Sequence, residues 1–229
     1  MIGIIGAMEE EVNAIKALMD LKKIDIIQGY QYMSGSIENK DVVLLQGGIG
    51  KVNATISTTL LFTHFDIDVV INVGSAGGLM EDQEVGDVVI SKQVVHHDVD
   101  LTSFNRDIGE LPDLPRYFEA DKDLLEKVMN VLNQNHIQCH VGLIASGDQF
   151  ICREDQVQII KKHFPQAMCS EMEAASIAQV CYVFSKKFII TRSLSDVFCK
   201  GNSSIQFDEY LKKASQSSAK MCLELIKLL

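Results

Sequence analysis

The sequence has no stripe of basic residues: 21 Lys and Arg stand against 31 Asp and Glu, a formal net charge of -10. A phosphate-backbone partner needs clustered cations, so nucleic acid is not expected to bind. No apolar run approaches the roughly 20 residues that span a bilayer, so the 47% hydrophobic content is expected to fill a soluble core and no membrane partner is expected. The six cysteines (Cys139, Cys152, Cys169, Cys181, Cys199, Cys222) include no Cys-x-x-Cys pair. That pattern fits free thiols in a reducing compartment better than a disulfide framework or a zinc site. The opening Met1-Ile-Gly-Ile-Ile-Gly6 lacks a basic leader and reads as a first core strand, which makes the cytoplasm the expected location. Internal repeats and low-complexity tracts are also lacking.

Phosphate-cradling motifs are absent too. Gly50-Lys51 is followed by Val52 where a Walker sequence needs Ser or Thr, and Leu45 stands where its first glycine belongs. No Gly-x-Gly-x-x-Gly follows the first strand, which argues against a dinucleotide cofactor. His96-His97-Asp98-x-Asp100 invites a metal reading, but consecutive histidines on a strand face opposite ways and no distant partner stands at ligand spacing.

What is present is an alternation of strands and helices along the whole chain, which predicts one α/β domain over residues 1–229. Strands are expected at 2–6, 24–28, 31–37, 41–46, 68–74, 87–96, 140–146, 167–171 and 187–193. Helices are expected at 9–20, 51–65, 123–135, 154–163, 173–184 and 207–228. The run Asp68 to Gly74 is apolar and β-branched, as in a strand buried on both faces, and Ser75-Ala-Gly-Gly78 is expected to turn it outward. Residues 98–120 read as a long functional loop, and the polar Cys199 to Ser204 as a mobile segment bordering the site.

Acids cluster at three strand exits: Glu9-Glu10-Glu11, Ser170-Glu-Met-Glu173 and Arg192-Ser-Leu-Ser-Asp196. In an open α/β sheet ligands bind at that edge, so these carboxylates are candidates for acid/base work on a small polar molecule. Acids at a helix start also complement its dipole, which alone would explain one or two of the first cluster.

Taken together, Gly3-Ile-Ile-Gly-Ala-Met-Glu-Glu-Glu11, Gly48-Ile-Gly-Lys-Val-Asn53, Asn72-Val-Gly-Ser-Ala-Gly-Gly78, Ser146-Gly-Asp-Gln-Phe-Ile151, Glu171-Met-Glu-Ala-Ala175 and Ser195-Asp196 resemble the bacterial 5′-methylthioadenosine/S-adenosylhomocysteine nucleosidases of the nucleoside phosphorylase superfamily. The resemblance implies a mixed, partly closed sheet flanked by helices, a homodimer, and no cofactor or metal. It also implies hydrolysis of the N-glycosidic bond of methylthioadenosine and S-adenosylhomocysteine, and of 5′-deoxyadenosine, within methionine salvage. By position it makes Asp196 the general acid at adenine N7 and Glu11 the water-activating base. Glu173 becomes the ribose clamp with Met172 against the sugar, while Ser75 and Arg192 order the water and its base. Phe150 becomes the stacking ring and the Ile151 backbone the reader of the adenine edge, with Gly77 and Ser195 also in the binding set. Met8, Ile49 and Phe207 would line the 5′-alkylthio pocket, closed by Leu101 and Phe104 from the partner subunit. Ser170 and Ser193-Leu194 depart from the usual family pattern, as does Ile151-Cys-Arg-Glu-Asp155. The rival readings are a phosphorylase, disfavoured by the acids after the first strand, and a catalytically silent adenosyl-ligand sensor.

Overall fold

The computed structural model describes residues 1–200 and 203–229, without the side chains of 203–209 and 211–213. The described residues form β1 (Ile2–Gly6), α1 (Glu9–Lys16), β2 (Asp20–Ile27), β3 (Tyr30–Ile37), β4 (Lys40–Gln46), α2 (Lys51–His64), β5 (Val69–Gly78) and β6 (Val88–His96). There follow β7 (Phe118–Glu119), α3 (Lys122–Gln134), β8 (Cys139–Ser146), α4 (Glu154–His163), β9 (Ala167–Glu171), α5 (Ala174–Val183), β10 (Lys187–Val197) and α6 (Ser203–Lys227).

All these strands belong to one sheet. Within it β5, β10, β6, β8 and β9 close into a ring, and from β5 the sheet runs on through β1 and β4 to the antiparallel β3 and β2. The sheet is therefore mixed and partly closed. β5 makes this possible by its length. Its first half lies parallel to both β1 and β10, with Val69 opposite Ile2 and Lys187, while Gly77 and Gly78 turn to pair antiparallel with Ser170 and Cys169 of β9. A strand so enclosed must be apolar on both faces, which accounts for its Val and Ile run. α6 packs against β10 and β5 and meets α1 and α3, whereas α2 packs against α5, which covers β8 and β6. Burial of Leu124, Val128, Val131 and Leu132 gives α3 the apolar stripe that its spacing predicts, and Asp121 caps it by accepting from Leu124 N at 3.1 Å.

Three expectations need correction, each because sheet pairing outcompetes local propensity. The helix expected over 9–20 stops at Lys16, since Asp20 pairs with Ser36 and begins β2. Ser75 to Gly78 do not turn outward but stay in β5, held by Ser193, Leu194 and Asp196 of β10 and by β9. For the same reason β10 runs on to Val197, so Asp196 lies inside a strand and not beyond its end. The long loop at 98–120 carries a short 3-10 turn at Thr102–Phe104 and the two-residue β7, which pairs with β6. Of the segment read as mobile, 201–202 lie outside the described residues. Among the described residues no helix is long and apolar enough to cross a membrane.

Candidate active site

The exits of β1, β5 and β9 and the end of β10 surround a cavity of about 120 Å³, into which Glu11, Glu171, Glu173, Arg192 and Asp196 all face. The charged groups are held by four elements, α1, β9, the start of α5 and β10, the last carrying both Arg192 and Asp196.

Glu11 sits in the first turn of α1, where four N-H groups have no helical partner. Its Oε2 reaches back to accept from Ala7 N at 2.8 Å and Met8 N at 3.1 Å, and its Oε1 accepts from Ser75 N of β5 at 3.1 Å. Glu9 and Glu10 beside it are exposed, so the dipole explanation suits them and not Glu11. Burial pushes the Glu11 carboxyl above its usual range against the opposing pull of these N-H groups and of Arg192.

Arg192 is fully buried. Its Nη2 donates to Asn72 Oδ1 and to Glu171 Oε2, each at 2.7 Å, and Nη1 donates to Thr191 O at 3.2 Å. Glu171 also accepts from the Ser146 hydroxyl and, through Oε2, from the N-H groups of Glu173 (3.0 Å) and Ala174 (2.8 Å) at the start of α5. Burial opposes ionisation of Glu171, but the Arg192 charge and these hydrogen bonds outweigh it and hold its carboxyl below the usual range. Glu11 and Arg192 converge over Gly74: a Cβ there would stand 3.2 Å from Glu11 Oε1 and 3.3 Å from Arg192 Nη1.

Glu173 occupies the N-cap of α5, and its Oε1 accepts from Gly50 N at 2.8 Å. Burial, reinforced by the ionised Glu171, pushes its carboxyl up to about 8. Asp196 owes its direction to a bulge: β10 pairs Leu194 with Ala76 and Asp196 with Gly77, leaving Ser195 as the extra residue. A bulge re-aims side chains, and here both Ser195 and Asp196 line the cavity. Ser195 Oγ donates to Asp196 Oδ1 at 3.0 Å, and Asp196 lies so close over β5 that a Cβ on Gly77 would be 3.1 Å from its Oδ2.

Of the residues singled out from the sequence, Met8, Glu11, Ile49, Ser75, Gly77, Phe150, Met172, Glu173, Arg192, Ser195 and Asp196 line this cavity. Ile49 (54% exposed) and Phe150 (44%) leave apolar surface uncovered on it. Ile151 does not line it; its side chain is buried in the smaller apolar cluster with Val157, Ile160 and Phe164. Leu101 and Phe104 do not line it either, and Phe104 is 76% exposed in the 3-10 turn. The side chain of Phe207 lies outside the described residues.

Sequence reasoning gave no role to Asn72, and counted Glu171 among the acids at strand exits without giving it a part of its own. Asn72 carried a signal, being the one polar side chain inside the apolar run from Val69 to Val73, and a buried amide requires partners. Its Nδ2 donates to Ile5 O at 2.9 Å while Oδ1 holds Arg192. Glu171 was hidden by its neighbour Glu173, and its place just before a helix N-terminus was the available clue.

The sequence profile of the phosphorylase superfamily matches residues 1–227. The 5′-methylthioadenosine/S-adenosylhomocysteine nucleosidase of Staphylococcus epidermidis is 47% identical, with 100% of each chain covered. The crystal structure of the Neisseria meningitidis nucleosidase of that name, in complex with methylthio-immucillin-A, superposes with a TM-score of 0.95 at 40% identity, covering 100% of this chain and 99% of that one. Futalosine hydrolase of Helicobacter pylori superposes with a TM-score of 0.95 at 34% identity, covering 100% and 97%.

The raised Glu173 carboxyl makes the stability of the ligand-free protein depend on pH. Folding adds a proton to this group between its ordinary 4.5 and about 8, so its stabilisation is full below 4.5 and lost as pH rises through 8. His96 and His97, held neutral by burial, act in the opposite sense only up to their ordinary 6.5. Calorimetric Tm should therefore fall between pH 6.5 and 8, and Glu173→Gln should remove much of that fall. Equal slopes in the two proteins would show that Glu173 is ionised throughout.

Proposed function

The chain belongs to the 5′-methylthioadenosine/S-adenosylhomocysteine nucleosidases of the phosphorylase superfamily, and from that premise we propose how its cavity performs their hydrolysis. The protein is an N-glycosyl hydrolase that converts methylthioadenosine and S-adenosylhomocysteine to adenine and the corresponding 5-thioribose derivative. The observation that carries the mechanism is two carboxyl groups, Glu11 and Asp196, facing one cavity from independent supports on α1 and β10.

In this reading the C1′–N9 bond breaks as the sugar becomes cationic and the base anionic. Asp196 protonates the departing adenine at N7, water delivers its oxygen to C1′, and Glu11 takes the water's proton. Carboxylates around the sugar stabilise charge that exists only in the transition state, where such interactions accelerate reaction. Glu11 suits a base because burial raises its proton affinity while three backbone N-H groups fix its direction. Ser75 N and Arg192 hold it against the sugar side, and Glu173 meets the ribose hydroxyls. Met172 lies against the sugar and Phe150 stacks on the base.

Phosphorolysis, the other chemistry of the superfamily, needs cationic or N-H groups free to hold a dianion. Among the described residues lining the cavity the one cation is Arg192, already paired with Glu171, and the N-H groups of Ala7 and Met8 just before α1 are taken by Glu11. Adenine release in phosphate-free buffer discriminates the two. The apolar side chains of Met8, Ile49 and Met172 favour an alkylthio substituent. Comparative kcat/KM for methylthioadenosine, S-adenosylhomocysteine, 5′-deoxyadenosine and futalosine ranks the substrates.

The active form in this reading is a cytoplasmic homodimer. Phe104 is exposed and far from needed in its own fold, which supports a role in closing the partner's 5′ pocket.

Asp196→Asn should fold normally and lose roughly 100- to 10,000-fold in kcat, because an amide cannot supply the proton. Retention of a tenth of wild-type kcat would remove Asp196 from the acid role. Glu11→Gln should bind a non-hydrolysable methylthioadenosine analogue in calorimetry yet turn over slowly; weak binding with near-normal kcat contradicts the base assignment. Phe104→Ala should raise KM for methylthioadenosine more than for adenosine, by about 1 to 3 kcal/mol of lost apolar burial. Equal losses on both substrates, or a fully active monomer in sedimentation, would exclude the shared pocket.

A further inference from the structure

Asp98 stands just past the end of β6, does not line the cavity and has no part in the chemistry above. Its carboxylate nevertheless closes a cycle of hydrogen bonds. Oδ1 accepts from Lys51 Nζ at 2.6 Å and Oδ2 from Asp148 N at 2.9 Å, while Asp148 Oδ1 accepts from Lys51 N at 2.8 Å. The Lys51 and Asp98 side chains are only 19% and 20% exposed, so the ion pair is largely withdrawn from water. Burial alone would raise the Asp98 carboxyl, but Lys51 and Asp148 N hold it below its usual range.

The cycle joins the start of α2, where the turn after β4 ends, to the loops leaving β6 and β8, and the turn before α2 and the loop after β8 carry parts of the cavity. Next to Lys51 are Ile49, which lines the cavity, and Gly50, whose N-H holds Glu173. Next to Asp148 is the segment that ends in Phe150, on the cavity wall. The turn is built tightly onto the brace: Gly50 has φ +93, and a Cβ there would stand 3.1 Å from Asp148 Oδ1. The elements that hold Glu11 and Asp196, namely α1, β5 and the β10 bulge, take no part in the cycle.

We propose that Asp98 is a positioning residue of this active site, spacing the Ile49-Gly50 wall and the Phe150 wall by its bonds to Lys51 and Asp148. The proposal rests on the reading of the cavity as the nucleoside site. Its signature is a division of effects: binding loosens while the proton-transferring groups keep their geometry. Asn at this position cannot satisfy both neighbours, because its amide presents an N-H₂ to either the Lys51 ammonium or the Asp148 N-H. A largely buried Lys51 then also lacks its counter-charge, a costlier state than having neither charge.

The experiment compares wild type, Asp98→Asn, Lys51→Gln and the double variant in steady-state kinetics with methylthioadenosine, in calorimetric binding of adenine, and in Tm. Asp98→Asn should raise KM and the adenine Kd roughly 10-fold, the equivalent of about 1.4 kcal/mol of lost binding. Its kcat should stay within about threefold, the pattern of lost uniform binding. The double variant should recover part of the loss in Asp98→Asn. A lower Tm with wild-type KM and adenine affinity would reduce Asp98 to a structural role and overturn the proposal, as would a kcat that falls as far as kcat/KM. If Asp98→Asn does not fold, Lys51→Gln carries the same test, and an unchanged KM there is equally fatal. A wild-type protein that turns over no adenine nucleoside would instead sink the functional reading on which the brace rests.

Discussion

A guanidinium with almost no exposure to water sits beneath the cavity, and the local structure is arranged around keeping it there. Moving a charge of that size out of water costs several kcal/mol unless a counter-charge and hydrogen bonds replace the solvent. Glu171 supplies the counter-charge to Arg192, Asn72 and the Thr191 carbonyl supply acceptors, and Ser146 and the first N-H groups of α5 steady Glu171 in turn. One ion pair thereby ties β5, β8, β9, β10 and α5 together at the edge of the sheet where the ligand cavity opens. Replacing either partner alone would leave a buried charge unmatched, so the two form a unit.

The pair also governs where protons reside. It consumes the one positive charge on the cavity wall among the described residues, while Glu11, Glu173 and Asp196 remain in the same small space. Burial in a medium that screens charge poorly favours the protonated forms of Glu173 and Glu11. The ionised Glu171 pushes Glu173 further the same way, whereas Glu11 is eased by three backbone N-H groups and by Arg192. A reaction that develops positive charge on a sugar is favoured by such a wall, which is a physical reason for four carboxyl groups to line one cavity with a single arginine.

Much of this was legible in the amino-acid order. The carboxylates of Glu11, Glu173 and Asp196 stood out as acids at strand exits, and the apolar β5 run announced a doubly covered strand. What local pattern could not convey was which backbone would find a partner. Ser75 to Gly78 look like a turn because Ser and Gly favour turns, yet two neighbouring strands hold them in the sheet. The bulge at Ser195 leaves no mark in composition, although it decides the direction of Asp196. The burial of the Ile151 side chain in the smaller core was likewise not legible, the motif having singled out only its backbone.

The ring of strands carries a consequence for how the protein is made. β5 leaves the ribosome early, but its partner β10, which completes the ring, is among the last segments synthesised. Pairing at such separation in sequence is slow and requires most of the chain to be collapsed beforehand. The closing strand is also the one that bears Asp196. Until β10 has paired, β5 therefore lacks its last partner, and the stretch of cavity wall that Ser195 and Asp196 provide is not in place.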